Sequence, residues 1–241
     1  AHWNPAAHAS LQRQENGFAY ADRFGLGLNH SYLDYVLPIG DHHALGVDWL
    51  HIGFDDSELN TGQNKLSFAY GYRNGIEGLR PLIGNTASGV SGKYRSFNVD
   101  LDGNNLGSAS GWGFDLGLLA PLPYGLRLAV VAQDLGDTDL QYENGVSETV
   151  YDSRYRLGLS YRPVEGLTVG MDLDDSFHLG GEYWLRGLLA LRAGMVTELD
   201  TPESFGTATT MTFGLGLKYR FAQIDYAYER HPILAPTHYT S

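Results

Sequence analysis

The sequence predicts an all-β chain folded as a transmembrane, antiparallel, up-and-down barrel. Three observations carry this: bulky apolar residues recur at every second position, the residues between them are small or polar, and the windows approach the ~9–11 residues that a tilted membrane strand needs. Composition points the same way. The 241 residues include 31 glycines and 16 tyrosines, and charged residues make up 18%. Soluble domains average ~7% glycine and ~25% charge, so this chain is rich in turns and poor in the charges a wet surface carries.

Taken in chain order, residues 16–22, 31–37 and 43–54 are the first strand candidates. Leu66, Phe68, Tyr70 and Tyr72 then alternate with Ser67, Ala69, Gly71 and Arg73, followed by a weaker window at 89–96. Trp112, Phe114, Leu116 and Leu118 oppose Gly113, Asp115 and Gly117, and residues 126–133 follow. Tyr155, Leu157, Leu159 and Tyr161 oppose Arg156, Gly158, Ser160 and Arg162. Leu167, Val169, Met171 and Leu173 oppose Thr168, Gly170, Asp172 and Asp174. Weaker windows at 177–184 and 188–196 come next. The clearest is Met211, Phe213, Leu215, Leu217, Tyr219 against Thr212, Gly214, Gly216, Lys218; Ala222, Ile224, Tyr226, Tyr228 close the series. A helix would space apolar residues three and four apart, and these windows do not.

About thirteen strands result. Turn-like segments at 38–41, 123–125 and 163–166 alternate with longer polar ones at 55–63, 99–108, 136–148 and 198–206, the rim asymmetry of an outer-membrane barrel. A water-soluble sandwich also alternates, but its polar face normally carries many Lys, Glu and Thr. Here that face is mostly Gly, Ser and Ala, with Tyr or Trp near strand ends (Tyr72, Trp112, Tyr155, Tyr161, Tyr219, Tyr228) as in an interfacial girdle.

Other classes fall away. Lys+Arg total 16 against 28 Asp+Glu, a net charge of −12, so the basic footprint of nucleic-acid binding is missing. There are no cysteines, which removes disulfides and thiolate chemistry. The most apolar stretch, 116–132, is broken by Pro121, Pro123 and Arg127 and is no membrane helix. Ala1-His2-Trp3 shows no secretory leader, which reads as a mature or trimmed chain. His30, His42, His43, His51, His178, His231 and His238 show no metal-ligand spacing and read as solvated loop residues. Ser160 with His178, or Ser67 with His51, are conceivable nucleophile–base pairs that nothing singles out, and no G-x-S-x-G elbow occurs. The expectation is no enzyme, no metal and no cofactor.

Charges of both signs fall on the predicted inner face: Asp48, Lys65, Arg73, Asp115, Arg127, Arg156, Arg162, Asp172, Arg192, Lys218, Arg220 and Asp225. They read as a polar network filling the lumen, and alternatively as a path that selects solutes. Apolar inward positions are few: Leu50, Ile52, Leu119, Val131 and Trp184. The glycine-rich 84–92 segment reads as a surface loop, or as a bend in the wall.

The opening Trp3-Asn4-Pro5-Ala6 resembles an element of the FadL-like outer-membrane channel superfamily, which spans fatty-acid transporters and the PorV-type proteins of type IX secretion. The ending, Ile224-Asp225-Tyr226-Ala227-Tyr228 and then Thr237-His238-Tyr239-Thr240-Ser241, is similar to the PorV-type branch. The resemblance implies fourteen strands, an N-terminal plug holding Asn4, Pro5 and Ala6 in residues 1–14, a barrel over 15–241, and a bacterial outer-membrane location. It also implies that residues are missing from both ends. A PorV-type barrel would dock to a secretion or surface-assembly complex, with 55–63 and 136–148 as contact loops. The alternative is a FadL-like channel passing small hydrophobic molecules.

Overall fold

Successive side chains on a strand point to opposite faces, so each alternating window can give its bulky face to lipid and its small or polar face to an interior. In the computed structural model the described residues are 3–56, 58–74, 84–199, 209–230 and 235–241. A short 3-10 helix (Pro5–Ser10) leads into β1 (Glu15–Arg23), β2 (Leu28–Ile39), β3 (His43–Asp55) and β4 (Leu59–Arg73). Next come β5 (Ala87–Leu101), β6 (Asn104–Pro121), β7 (Leu126–Gln133), and a small hairpin of β8 (Thr138–Tyr142) and β9 (Ser147–Tyr151). The chain continues as β10 (Arg154–Val164), β11 (Leu167–Leu173), β12 (Ser176–Leu185), β13 (Leu189–Glu198), β14 (Thr209–Tyr219), β15 (Ala222–Arg230) and β16 (Thr237–Thr240).

Every neighbouring pair is antiparallel, and the ring runs from β5 down to β1, across to β16, back to β10, then through β7 and β6 to β5. Setting the β8–β9 hairpin aside leaves a closed barrel of fourteen strands. The fourteenth is β16, beyond the thirteen windows visible as alternation. It pairs with β15 through Tyr226–Thr240 and with β1 through Tyr20–Thr240. Closure matters because lipid offers no partner to a bare strand edge.

Phe213, Leu215 and Leu217 on β14, and Phe114, Leu116 and Leu118 on β6, are all about half exposed on the outer face. Their alternate neighbours line the inside. Tyr219 ends β14 and Tyr161 lies near the end of β10 at one rim, while the Tyr94 and Trp112 rings, 5.2 Å apart, sit nearer the other, as interfacial girdles do.

The two rims differ. On one, the connections 40–42, 122–125, 165–166, 186–188 and 220–221 are tight turns and 74–86 is a longer one, and Tyr124, Gly125 and Gly166 take positive φ there. The other carries the β8–β9 hairpin, beside tight turns at 24–27, 102–103 and 174–175. Two segments expected as loops, 55–63 and 99–108, are instead continuing strand: β3 runs to Asp55, β4 starts at Leu59, β5 runs to Leu101 and β6 starts at Asn104. These strands hold 13 to 18 residues, several more than a bilayer crossing takes. Their extra length is polar on both faces (Asn60, Asn64, Asn98, Asn105, Ser108), so side-chain alternation stops marking strand where water wets both sides. Of the 84–92 segment only 84–86 lie outside a strand: β5 pairs without interruption from Ala87 to Val99.

Leu215 sits mid-strand with lipid-facing exposure of 53%. Leu215→Arg is expected to destabilise the barrel by about 2–4 kcal/mol, the cost of a cation near the bilayer midplane. Denaturant titration of the protein refolded into lipid vesicles measures it.

Candidate functional site

The lumen is built from two unlike walls. Against β2 to β6 lies the N-terminal 3-10 helix. Asn4 caps it: its Oδ1 accepts from the Ala6 N–H at 2.9 Å, Pro5 takes the first helical position, and Asn4 Nδ2 donates to the Leu118 carbonyl at 3.2 Å. Side-chain caps and a leading proline both favour helix starts. Ala6, Ala9 and Ala87 are buried together, with Leu119 against them. The contact is close because the wall lacks side chains there. A Cβ on Gly46 would strike the His8 ring, on Gly71 the Ala9 backbone, on Gly89 the Pro5 backbone, and on Gly117 the Asn4 amide. Four glycines on four consecutive strands make the seat.

At the hairpin end of the lumen the interior charges cluster. Lys93 Nζ lies 2.6 Å from Asp115 and 2.9 Å from Asp134; Arg95 reaches Asp134 at 3.1 Å. The Asp134 N–H donates to Asp115 at 2.9 Å, and the Thr138 hydroxyl donates to Asp134 at 3.0 Å. Burial alone would raise the Asp134 pKa. The hydrogen bond from Lys93, the charges of Arg95 and Lys93, and the Thr138 hydroxyl outweigh burial and hold its carboxyl below the usual range. This cluster anchors the β8–β9 hairpin, which lies over the inner face of β6: a Cβ on Gly111 would meet the Asp139 carbonyl, and one on Gly113 the Thr138 hydroxyl. Leu140 and Tyr151 of the hairpin join Leu50, Ile52 and Phe97, and the polar Gln63, Asn64, Lys65, Arg95 and Ser96, around a cavity of about 30 Å³, with Arg95 stacked 3.9 Å over the Tyr151 ring.

The sequence-derived charges do not form one network. Asp48 pairs with Lys65 at 3.2 Å and accepts from Ser67. Asp115 joins the Lys93 cluster. Arg156 pairs with Asp174 and lies 5.0 Å from the Trp3 ring. Arg192 bridges Glu182 at 2.7 Å and Asp225 at 2.5 Å. Others stand apart: Arg73 donates to the Asp41 carbonyl at the short-turn rim, and Lys218 lies 5.9 Å from the Trp184 ring. Arg127 faces inward on β7 opposite Ser160, and Asp172 lies over Gly158. Arg220 sits in a turn at positive φ, over Tyr219.

Lys93, Arg95, Asp134, Glu182 and the hairpin escaped the sequence reading. Asn144-Gly145 between two short alternating runs was the available hairpin signal, and Gly145 does take positive φ. Histidines expected in loops lie on strands: His43 shares a 2.6 Å hydrogen bond with the Tyr70 hydroxyl, His51 bonds Asn64, His178 bonds Asp174, and His238 bonds the Tyr226 hydroxyl. Their neighbours on each strand are polar as well as apolar, so alternation there was weak. His231 lies outside the described residues. Ser67 gives its hydroxyl to Asp48 on the face opposite His51. Among the described residues no group of three His, Asp or Glu could hold a metal.

No protein-family profile matches the chain, and no curated protein matches it either. Solved structures do. A structure described as the CymD monoaromatic hydrocarbon channel superposes with TM-score 0.69 at 14% identity, covering 99% of this chain and 90% of that one. A Pseudomonas aeruginosa FadL homologue gives 0.63 at 12% identity, covering 98% and 91%. The Pseudomonas putida toluene transporter TodX gives 0.61 at 14%, covering 98% and 89%. The chain has the fold of the FadL-type channels. At such low identity the likeness is one of fold, shared along nearly the whole chain.

Two outcomes are expected. Asp134→Ala leaves Arg95 without its carboxylate, at a cost on the order of 3–5 kcal/mol for a broken buried pair, and limited proteolysis should then cut within 134–153. Because the Asp134 pKa is depressed, its stabilisation is complete above the ordinary carboxylate pKa and is lost as pH falls through the lowered value. Proteolysis of the unmodified hairpin should therefore rise at acid pH, and not between pH 6 and 8, values taken as roughly the range above carboxylate titration.

Proposed function

We propose that this chain is a bacterial outer-membrane channel that passes small apolar molecules, with the N-terminal segment around Asn4 to Ser10 seated in its lumen as a plug and the rim that carries the β8–β9 hairpin facing outward. Short turns on the inner side and longer connections outside is the orientation general to such barrels. The observation that carries the proposal is the cavity under the hairpin at the outward end of the lumen, where Leu50, Ile52, Phe97, Leu140 and Tyr151 form an apolar side against the polar Gln63, Asn64, Lys65, Arg95 and Ser96. It lies in a fold held in common with channels whose descriptions name monoaromatic hydrocarbons and toluene.

The cavity is too small as it stands. An apolar cavity of about 150 Å³ accommodates benzene, whereas this one is about 30 Å³. Two of its walls, Leu140 and Tyr151, belong to the hairpin, so a solute gains room by displacing the hairpin rather than the barrel. The Asp134 cluster sets how readily that happens. Passage needs no bond made or broken; the reading is transport and not catalysis.

A docking role in a secretion or surface-assembly complex has less behind it. The C-terminal residues that resemble the PorV-type branch are occupied in closing the barrel. Thr237 is fully buried, Tyr239 faces inward and donates to Glu229 at 3.1 Å, and His238 and Thr240 pair with both flanking strands. The contact loops expected at 55–63 and 136–148 are a strand hairpin and the lumen-covering hairpin.

The test is uptake of radiolabelled toluene by cells whose own outer membrane excludes it. Expression should raise the initial rate severalfold, Leu140→Ala should raise it further, and Ile52→Asp should lower it. A rate unchanged by expression of folded protein would refute the proposal.

A further inference from the structure

Two sets of lumen glycines contrast. Gly46, Gly71, Gly89 and Gly117 have the N-terminal segment pressed on them, so their missing side chains are explained. Gly170 and Gly180, paired across β11 and β12, are not covered. A Cβ at Gly170 would find nothing nearer than 3.8 Å, and one at Gly180 nothing nearer than 3.5 Å. The 3-10 helix packs on β2 to β6, and no described element packs to a comparable extent on the inner face of β11 to β15.

In that space lies a cavity of about 480 Å³, bounded mostly by glycines and by apolar residues such as Leu179, Val196 and Phe213, with Asp172, His178, Glu182, Arg192 and Asp225 as its charged or titratable lining. A second of about 360 Å³, beside Trp3, Val131 and Arg156, shares Asp172 and His178 with it. The two therefore adjoin along the wall. At about 30 Å³ per water in the liquid, the larger holds on the order of a dozen waters. Charged lining makes it wet: a carboxylate in a dry cavity is prohibitively costly unless paired, and the Asp172 carboxylate has no hydrogen-bond or ionic partner among the described residues. Beneath it the turns 165–166, 186–188 and 220–221 are too short to fold across the lumen.

We infer that the β11–β15 side of the lumen is a water-filled path that conducts small hydrated cations, separate from the cavity under the hairpin on the opposite wall. The ionic preference follows from the lining. Three carboxylates (Asp172, Glu182, Asp225) face one guanidinium (Arg192), an excess of negative charge that favours cations as charged rings do in other pores. Glu182 and Asp225 are both engaged by Arg192. Asp172 is the free charge and sets the preference.

The experiment is single-channel recording of the full chain in planar bilayers under a potassium chloride gradient. The unmodified protein should show a steady conductance whose reversal potential marks potassium as more permeant than chloride. Gly170→Trp and Gly180→Trp, for which the wall has space, should reduce conductance severalfold, with folding checked by heat-modifiable gel mobility and toluene uptake retained. Asp172→Asn should bring the reversal potential towards zero. An electrically silent unmodified protein overturns the inference, as do folded tryptophan variants that conduct normally. Should the tryptophan variants not fold, an unshifted reversal potential in Asp172→Asn overturns it alone. Conductance and hydrocarbon uptake are separate readouts, so either path can fail without the other.

Discussion

In the hydrocarbon interior of a membrane each unpaired backbone N–H or C=O costs several kcal/mol, and a sheet crossing it has to close on itself. For this chain the requirement falls on a four-residue strand. β16 satisfies β15 on one side and β1 on the other, with Tyr20–Thr240, Ala21–Tyr239 and Asp22–His238 joining the two ends of the chain. The Phe24 N–H adds a bond to the Thr237 hydroxyl at 3.3 Å. Once the ring is closed, side-chain alternation has only two destinations, lipid and lumen, and every other feature of the molecule is arranged within that division.

The lumen side of that division is used unevenly. Strands β3 to β6 are long, rise beyond the bilayer and carry both the N-terminal segment and the β8–β9 hairpin on their inner faces. Glycines at the contact points let backbone approach backbone, and small apolar residues fill what remains. The cationic side chains of this half, Lys65, Lys93 and Arg95, are each held by carboxylates with little exposure. The β10–β15 half is shorter and loosely filled. Its charges, Arg156, Glu182, Arg192 and Asp225, are about a quarter exposed. Such a lumen has one half packed under the N-terminal segment and the hairpin, and one half more open.

Legibility in the sequence followed the environment of each residue. Where lipid touches one face, as at Met211 to Tyr219, period-two alternation is strong and the strand is evident. Where water bathes both faces, as at Asn60 to Asn64 or Ser108, polar residues are accepted on either side and the strand reads as loop. β16 is only four residues long, and its Thr-His-Tyr-Thr run has no bulky aliphatic residue to reveal it. The inner face could be assigned by parity, which puts Asp48, Asp115, Arg156, Arg192 and Asp225 on the face away from the bulky apolar residues. Parity carries no information about which charge meets which across the ring.

The sequence by itself determined the fold class, the lipid-facing surface and the approximate strand positions, because alternation is a local property imposed by the two solvents on either side of a strand. Tertiary structure alone decided that Lys93 and Arg95 hold Asp134, that the hairpin covers the cavity of Leu50, Ile52 and Phe97, and that one wall is seated under Asn4 to Ser10 while no described element of comparable extent packs on the other. These depend on contacts between residues tens to more than a hundred positions apart, such as Asn4 with Leu118. Their partners are chosen by the closure of the ring, not by any neighbour in the chain.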